Sequence, residues 1–109
     1  SSDLYDGIGT MIFDEVDSGI SGMTANKVAK KLKSIASKHQ VIAITHLPQI
    51  AALGDHNYKI EKKSYNFTTN TKVLALNDKE KTVEIARLLS GDSISETAIE
   101  NAKALIGNK

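Results

Sequence analysis

Three side chains in this sequence have the type and spacing to do chemistry at one shared point. Asp14 and Glu15 are adjacent carboxylates closing the apolar run Thr10-Met11-Ile12-Phe13. His46 closes a second apolar run, Val41-Ile42-Ala43-Ile44-Thr45. Neighbouring carboxylates can divide their work: one supports a hard cation such as Mg²⁺, and the other orients or polarises a water molecule. An imidazole beside them can hydrogen-bond an anionic group or help position the same water. A lone histidine is more often structural, and His46 gains a functional reading only if its run ends beside the two acids.

Both apolar runs lack alternation, which suits strands buried on two faces of a parallel sheet. In such sheets the ligand crevice lies beyond the carboxyl ends of the strands. After the small-residue loop Ser18-Gly19-Ile20-Ser21-Gly22, a helix is expected from about Met23 to Lys38. Ala25, Val28, Ala29, Leu32, Ile35 and Ala36 share one of its faces. Its lysines (Lys27, Lys30, Lys31, Lys33 and Lys38) read as a solvated face, with phosphate contact as the alternative. Strand, helix and strand make a βαβ unit with a right-handed crossover, and neighbouring strands would put His46 on the edge that holds Asp14 and Glu15. An apolar strand ending in Asp-Glu is the Walker B pattern of nucleotide-hydrolysing proteins.

Further along, Pro48 fits the first turn of a short helix reaching Leu53, with Gly54 as its stop. Tyr58 and Ile60 alternate with Lys59 and Glu61 as in a half-buried strand, and Lys72 to Leu76 offers its partner. Ser64-Tyr65-Asn66-Phe67 is the expected hairpin turn. Tyr65 and Phe67 are assigned to core or hairpin packing, with base stacking as the alternative. Val83, Ile85, Ala86, Leu88 and Leu89 give a helix ended by Gly91. Ser93-Ile94-Ser95-Glu96 reads as a capping box opening a last helix, whose buried stripe is Ala98, Ile99, Ala102, Leu105 and Ile106. The class is α/β: a βαβα core followed by a β-hairpin and two C-terminal helices.

Composition narrows the function classes. At 109 residues the chain is one domain at most, and its net charge of +1 makes no global case for nucleic-acid or membrane attraction. The absence of cysteine excludes disulfides and thiolate metal sites. No apolar run approaches the roughly 20 residues of a membrane span. The sequence starts at Ser1, a few residues before a strand, and a piece of a longer chain is expected. No glycine is followed by lysine, so these residues hold no glycine-rich phosphate loop. Gly7-Ile8-Gly9 reads as a turn, and Leu89-Ser90-Gly91-Asp92 as a helix end rather than a Ser-Gly-Gly signature.

Three segments together resemble the C-terminal part of the RecN family, bacterial DNA double-strand-break repair ATPases related to the SMC proteins. They are Asp14-Glu15-Val16-Asp17-Ser18-Gly19-Ile20-Ser21-Gly22, Thr45-His46-Leu47-Pro48-Gln49-Ile50-Ala51 and Ala86-Arg87-Leu88-Leu89-Ser90-Gly91. The resemblance runs from about Thr10 to Ile106. It implies a partial P-loop NTPase fold of the ABC/SMC head type, with residues 1–109 as the C-terminal half of the head. Walker B, D-loop and switch-histidine segments would lie here; the phosphate loop, signature motif and coiled coil would lie elsewhere. ATP and Mg²⁺ are the implied cofactors of the complete protein. Asp14 would support Mg²⁺, Glu15 would be the base or water-orienting residue, and His46 would be the switch histidine at the γ-phosphate. Ser18, Gly19, Ile20 and Ser21 match the D-loop that crosses to an opposite head. Ser21 stands where related ATPases commonly carry Asp, which weakens or alters that contact. Gln49 is given no catalytic role.

The implied partners are the N-terminal half of the same head, a second head in an ATP-sandwiched dimer, and DNA. The implied location is the cytoplasm, at the nucleoid, with no membrane. Three rival readings remain at this stage. Asp14-Glu15-Val16-Asp17 also spells the DExD box of helicases, but those usually place Ser-Ala-Thr where this chain has Ile44-Thr45-His46. A non-catalytic protein-interaction module is the second. A metal-dependent hydrolase using Asp14, Glu15, Asp17 and His46 is the third.

Overall fold

The computed structural model describes residues 9–14 and 22–107. The elements are β1 (Thr10–Asp14), α1 (Gly22–Ala36), β2 (Gln40–Ile44), α2 (Pro48–Ala51), β3 (Asn57–Tyr65), β4 (Thr68–Leu76), α3 (Asp78–Ser90) and α4 (Glu96–Gly107). This is the expected α/β order. The chain divides into two units between Leu53 and Gly54.

In the first unit β1 and β2 pair in parallel, in register from Thr10↔Gln40 to Asp14↔Ile44. The register is pinned at the amino end, where the Gln40 N–H donates to the Gly9 carbonyl at 2.6 Å. There the Thr10 hydroxyl also donates to Gln40 Oε1 at 3.0 Å. Ala25, Ala29 and Leu32 of α1 are buried, while its lysines face solvent. Ala29, Leu32 and Ile50 centre a core packed by Phe13, Val28, Val41, Ala43, Leu47 and Leu53. The helix stops at Ala36 rather than Lys38, because the Ser37 and Lys38 N–H groups turn to the carbonyls of Ser34 and Ile35.

Burial of these strands on both faces is not what the structure shows. Met11, Phe13, Val41 and Ala43 are half-buried, whereas Ile12, Ile42 and Ile44 are 68%, 44% and 40% exposed. An unbroken apolar run establishes that both faces are apolar. Among the described residues only one face meets a helical cover.

In the second unit β3 and β4 form an antiparallel hairpin in register from Asn57↔Leu76 to Tyr65↔Thr68, longer than expected. Its face parity is the reverse of the sequence reading. Asn57, Lys59 and Glu61 are half-buried, while Tyr58, Ile60 and Val73 are exposed. The inward face is held by charge: the Lys59 ammonium lies 3.3 Å from Glu84 of α3. Tyr65 and Phe67 join no core either, being 63% and 110% exposed. The turn between the strands is Asn66-Phe67, with both residues at positive φ.

α3 and α4 pack together through small residues, with Ile85, Ala86, Ala98 and Ala102 buried. A reciprocal capping box opens α3: the Glu80 N–H donates to Asn77 Oδ1 at 2.8 Å, and the Asn77 N–H donates to Glu80 Oε1 at 2.9 Å. The box expected at Ser93–Glu96 does not form. Ser95 is the cap, its hydroxyl accepting from the Ala98 N–H at 3.1 Å, and Glu96 is already the first helical residue. Gly91 ends α3 at φ 80°, as expected. Lys81 is buried, and its ammonium donates to the Gly54 carbonyl at 2.6 Å.

Candidate functional site at the carboxyl rim of the parallel strands

Parallel pairing decides where the chemistry-bearing residues meet. Asp14, the last residue of β1, lies beside Ile44, the last residue of β2, and His46 follows two positions later. Asp14 and His46 therefore share one rim of the sheet, and both are exposed. The segment holding His46 is anchored on either side. The Leu47 N–H donates to the Thr45 hydroxyl at 3.0 Å, a local turn that ends the strand. Leu47 packs on the core, and buried Pro48 occupies the first turn of α2, where a missing N–H costs nothing. The Ala51 and Ala52 N–H groups close that turn onto the Leu47 and Pro48 carbonyls at 3.0 and 2.9 Å.

Glu15, Asp17, Ser18, Gly19, Ile20 and Ser21 lie outside the described residues. Of the expected site, the structure places Asp14 and His46 on the same rim of the sheet. Among the described residues no cluster of three or more His, Asp or Glu side chains is arranged to hold a metal ion. Asp14 offers one carboxylate at the rim, which suits the outer hydration shell of Mg²⁺ rather than a closed protein cage. The donor chemistry fits support of a metal–nucleotide complex whose phosphate cradle comes from other residues.

A second polar cluster went unnoticed in the sequence. Arg87 Nε donates to Glu84 Oε1 at 2.9 Å, and Arg87 Nη2 donates to the same oxygen. Lys59 reaches Oε2. The Arg87 hydrogen bond leads in holding the Glu84 carboxyl below its usual range, against burial, with the Arg87 and Lys59 charges helping. The same bond raises Arg87 in return. Acid and arginine three residues apart on one helix were the available signal. The cluster ties β3 to α3 and fixes Arg87 within the segment Ala86–Gly91.

No family model matches the chain. It is 46% identical over 99 residues to the DNA repair protein RecN of Haemophilus influenzae, covering 91% of this chain and 18% of that protein. It is 43% identical over 102 residues to RecN of Halalkalibacterium halodurans, covering 94% and 18%. RecN of Rickettsia conorii is 45% identical over 97 residues, covering 89% and 18%. Among solved structures, the chain is similar to one from work on ATP-driven dimerization and DNA-stimulated activation of SMC ATPases. That match has a TM-score of 0.59 at 17% identity and covers 84% of this chain and 55% of the other. Across nearly all of its length the chain is similar in sequence to RecN proteins, of which it spans 18%, and its fold is similar to part of that solved chain.

Proposed function

We propose that this chain is the C-terminal part of the ATPase head of a RecN-like DNA repair protein. It supplies the metal- and water-handling rim of an ATP site that other segments complete. The observation carrying this reading is the parallel register of β1 and β2, which gathers Asp14 and His46 at one rim. Phosphoryl transfer asks a protein chiefly for positioning and charge stabilisation. Bound Mg²⁺–ATP supplies the reactive phosphoanhydride and the cation that neutralises it. Asp14 would support the cation through its carboxylate. Glu15 would serve as the base or water-orienting residue. His46 would serve at the terminal phosphate as a hydrogen-bonding imidazole. Ser18, Gly19, Ile20 and Ser21 would serve as the D-loop segment toward a second head. The N-terminal half of the head covers the apolar sheet face of Ile12, Ile42 and Ile44. DNA is the substrate of the complete protein, in the cytoplasm at the nucleoid.

Mixing the chain with ATP and Mg²⁺, then adding the N-terminal half, tests the shared site. Nucleotide should bind tightly and be hydrolysed only in the mixture, and tight binding by the chain alone would contradict the proposal. In the complete protein, Glu15→Gln should slow hydrolysis by about 10²- to 10⁴-fold and trap ATP-bound paired heads. Rapid turnover with normal head dissociation would remove Glu15 from its role. The bare isoleucine face also favours a second reading, an interaction module. In that case the N-terminal half would bind with no dependence on nucleotide.

A further inference from the structure

The tip of the β3–β4 hairpin keeps a residue that its backbone disfavours. Asn66 sits at φ 45° and Phe67 at φ 69°. Two-residue turns with both φ positive prefer Asn-Gly, because glycine has no Cβ to clash in that region. Asn66 fits the preference and Phe67 violates it. The ring regains nothing by packing, since Phe67 is 110% exposed and nearby Tyr65 is 63% exposed. A strained aromatic held fully in solvent points to contact with a partner.

Charge identifies the partner's chemistry. The hairpin carries Lys59, Lys62, Lys63 and Lys72 against Glu61 alone, in a chain whose net charge is only +1. Lys59 is occupied by Glu84 at 3.3 Å and Glu61 at 3.9 Å. Lys62, Lys63 and Lys72 have no ion-pair partner among the described residues. Strand alternation and pairing put Lys63, Tyr65, Asn70 and Lys72 on one face, where with Glu61 they line a shallow concavity. Around the tip, Ser64, Thr68 and Thr69 are polar and uncharged. Lysines flanking bare aromatic rings match a polyanion with unpaired, stackable bases. An acidic peptide would explain the lysines but not the strained ring. A lipid surface would ask for more than one apolar residue at a tip otherwise made of Asn and Thr.

We propose that the β3–β4 hairpin docks single-stranded DNA, with Lys63 and Lys72 on backbone phosphates and Phe67 and Tyr65 stacked on bases. The choice of DNA over RNA rests on the DNA-repair reading above; the hairpin's own chemistry does not. The test titrates the 109-residue chain against a fluorescein-labelled oligothymidine at several salt concentrations. Duplex DNA, oligouridine and phosphatidylserine vesicles are the competitors. Oligothymidine should bind best. Replacing Lys63 and Lys72 by Gln should reduce the log–log salt slope by about 0.7 for each lysine. Phe67→Gly should weaken binding by about 5- to 150-fold at an unchanged salt slope. That variant relaxes the turn, so its loss of binding cannot be ascribed to a damaged hairpin. Wild-type affinity in Phe67→Gly, an unchanged slope in the lysine variant, no binding of oligothymidine, or tighter binding to a competitor each overturns the proposal. Unaltered oligothymidine binding by Phe67→Gly would remove the hairpin and leave the DNA-repair reading standing. Absence of ATP hydrolysis with the N-terminal half would remove that reading and leave the hairpin titration intact.

Discussion

Glu84→Gln removes one charge and almost no volume from the contact joining β3 to α3. The Glu84 side chain is 18% exposed, against 35% for Lys59 and 39% for Arg87. Two unit charges 4 Å apart attract by roughly 1 kcal/mol in water and ~4 kcal/mol near a protein surface. Both cations here keep more than a third of their surface in water, and ordering two long side chains costs entropy, so the net falls toward the lower value. Losing the carboxylate is therefore expected to cost about 1–2 kcal/mol at neutral pH, with each kcal/mol lowering Tm by about 4–8 °C in a small domain. The pH arm has a definite sign. Arg87, with help from Lys59, depresses the folded carboxyl, so its contribution is complete above the unfolded value near 4.5. It is lost as pH falls through the lower folded value, where both states bind the proton. Urea and thermal unfolding followed by circular dichroism should show wild type above the variant at neutral pH and the two converging in strong acid. Equal stability at neutral pH, or an undiminished gap in strong acid, would refute the electrostatic account of this contact.

Two further outcomes follow from the packing and caps. Asn77→Ala should lower stability by about 1 kcal/mol, because it removes the acceptor for the Glu80 N–H, and Asn77→Ser should restore most of the loss in the same melts. Leu32→Ala should cost about 2–5 kcal/mol in urea unfolding, since Leu32 is 8% exposed and packs with Ala29 and Ile50. A cost under about 1 kcal/mol would mean that this core closes over the cavity.

What could be read from the sequence was what local chemistry decides. The unalternating runs ending at Asp14 and Thr45 specify strands, and the alanine and leucine spacing of α1 specifies its buried stripe. Their order alone then required a parallel pair with a shared carboxyl rim, which the register from Thr10↔Gln40 to Asp14↔Ile44 realises. Gly91 and the Asn66-Phe67 turn were also visible, because positive φ and chain reversal leave compositional marks. The caps were half-visible. Ser95 lies inside the expected box, but the real cap falls two residues later, and the box at Asn77 and Glu80 has the same spacing of polar residue and acid without an apolar run to announce it. Hairpin parity was hidden for a different reason. Alternation shows that two faces differ, while the inward one here was chosen by a salt bridge from Lys59 to a helix 25 residues later.

The two sets of bare apolar residues therefore have different meanings, and the side chains around them say which. β1 and β2 pair in register along their whole length, so exposed Ile12, Ile42 and Ile44 do not mark strands that failed to form. That face presents isoleucines without a charged neighbour on the strand interior, and in proportion to its remaining exposure each side chain has about 0.6–2 kcal/mol of burial left to gain. Such a surface is suited to closure by apolar cover. The outer face of the hairpin is built otherwise. Tyr58, Ile60 and Val73 share it with Lys62, whose ammonium would be stranded by burial in a core. At its tip, the backbone itself opposes the ring it carries. The isoleucine face therefore asks for apolar cover, whereas the hairpin keeps Lys63, Tyr65 and Lys72, on the face opposite Lys62, and Phe67 at its tip in reach of a charged, stackable strand.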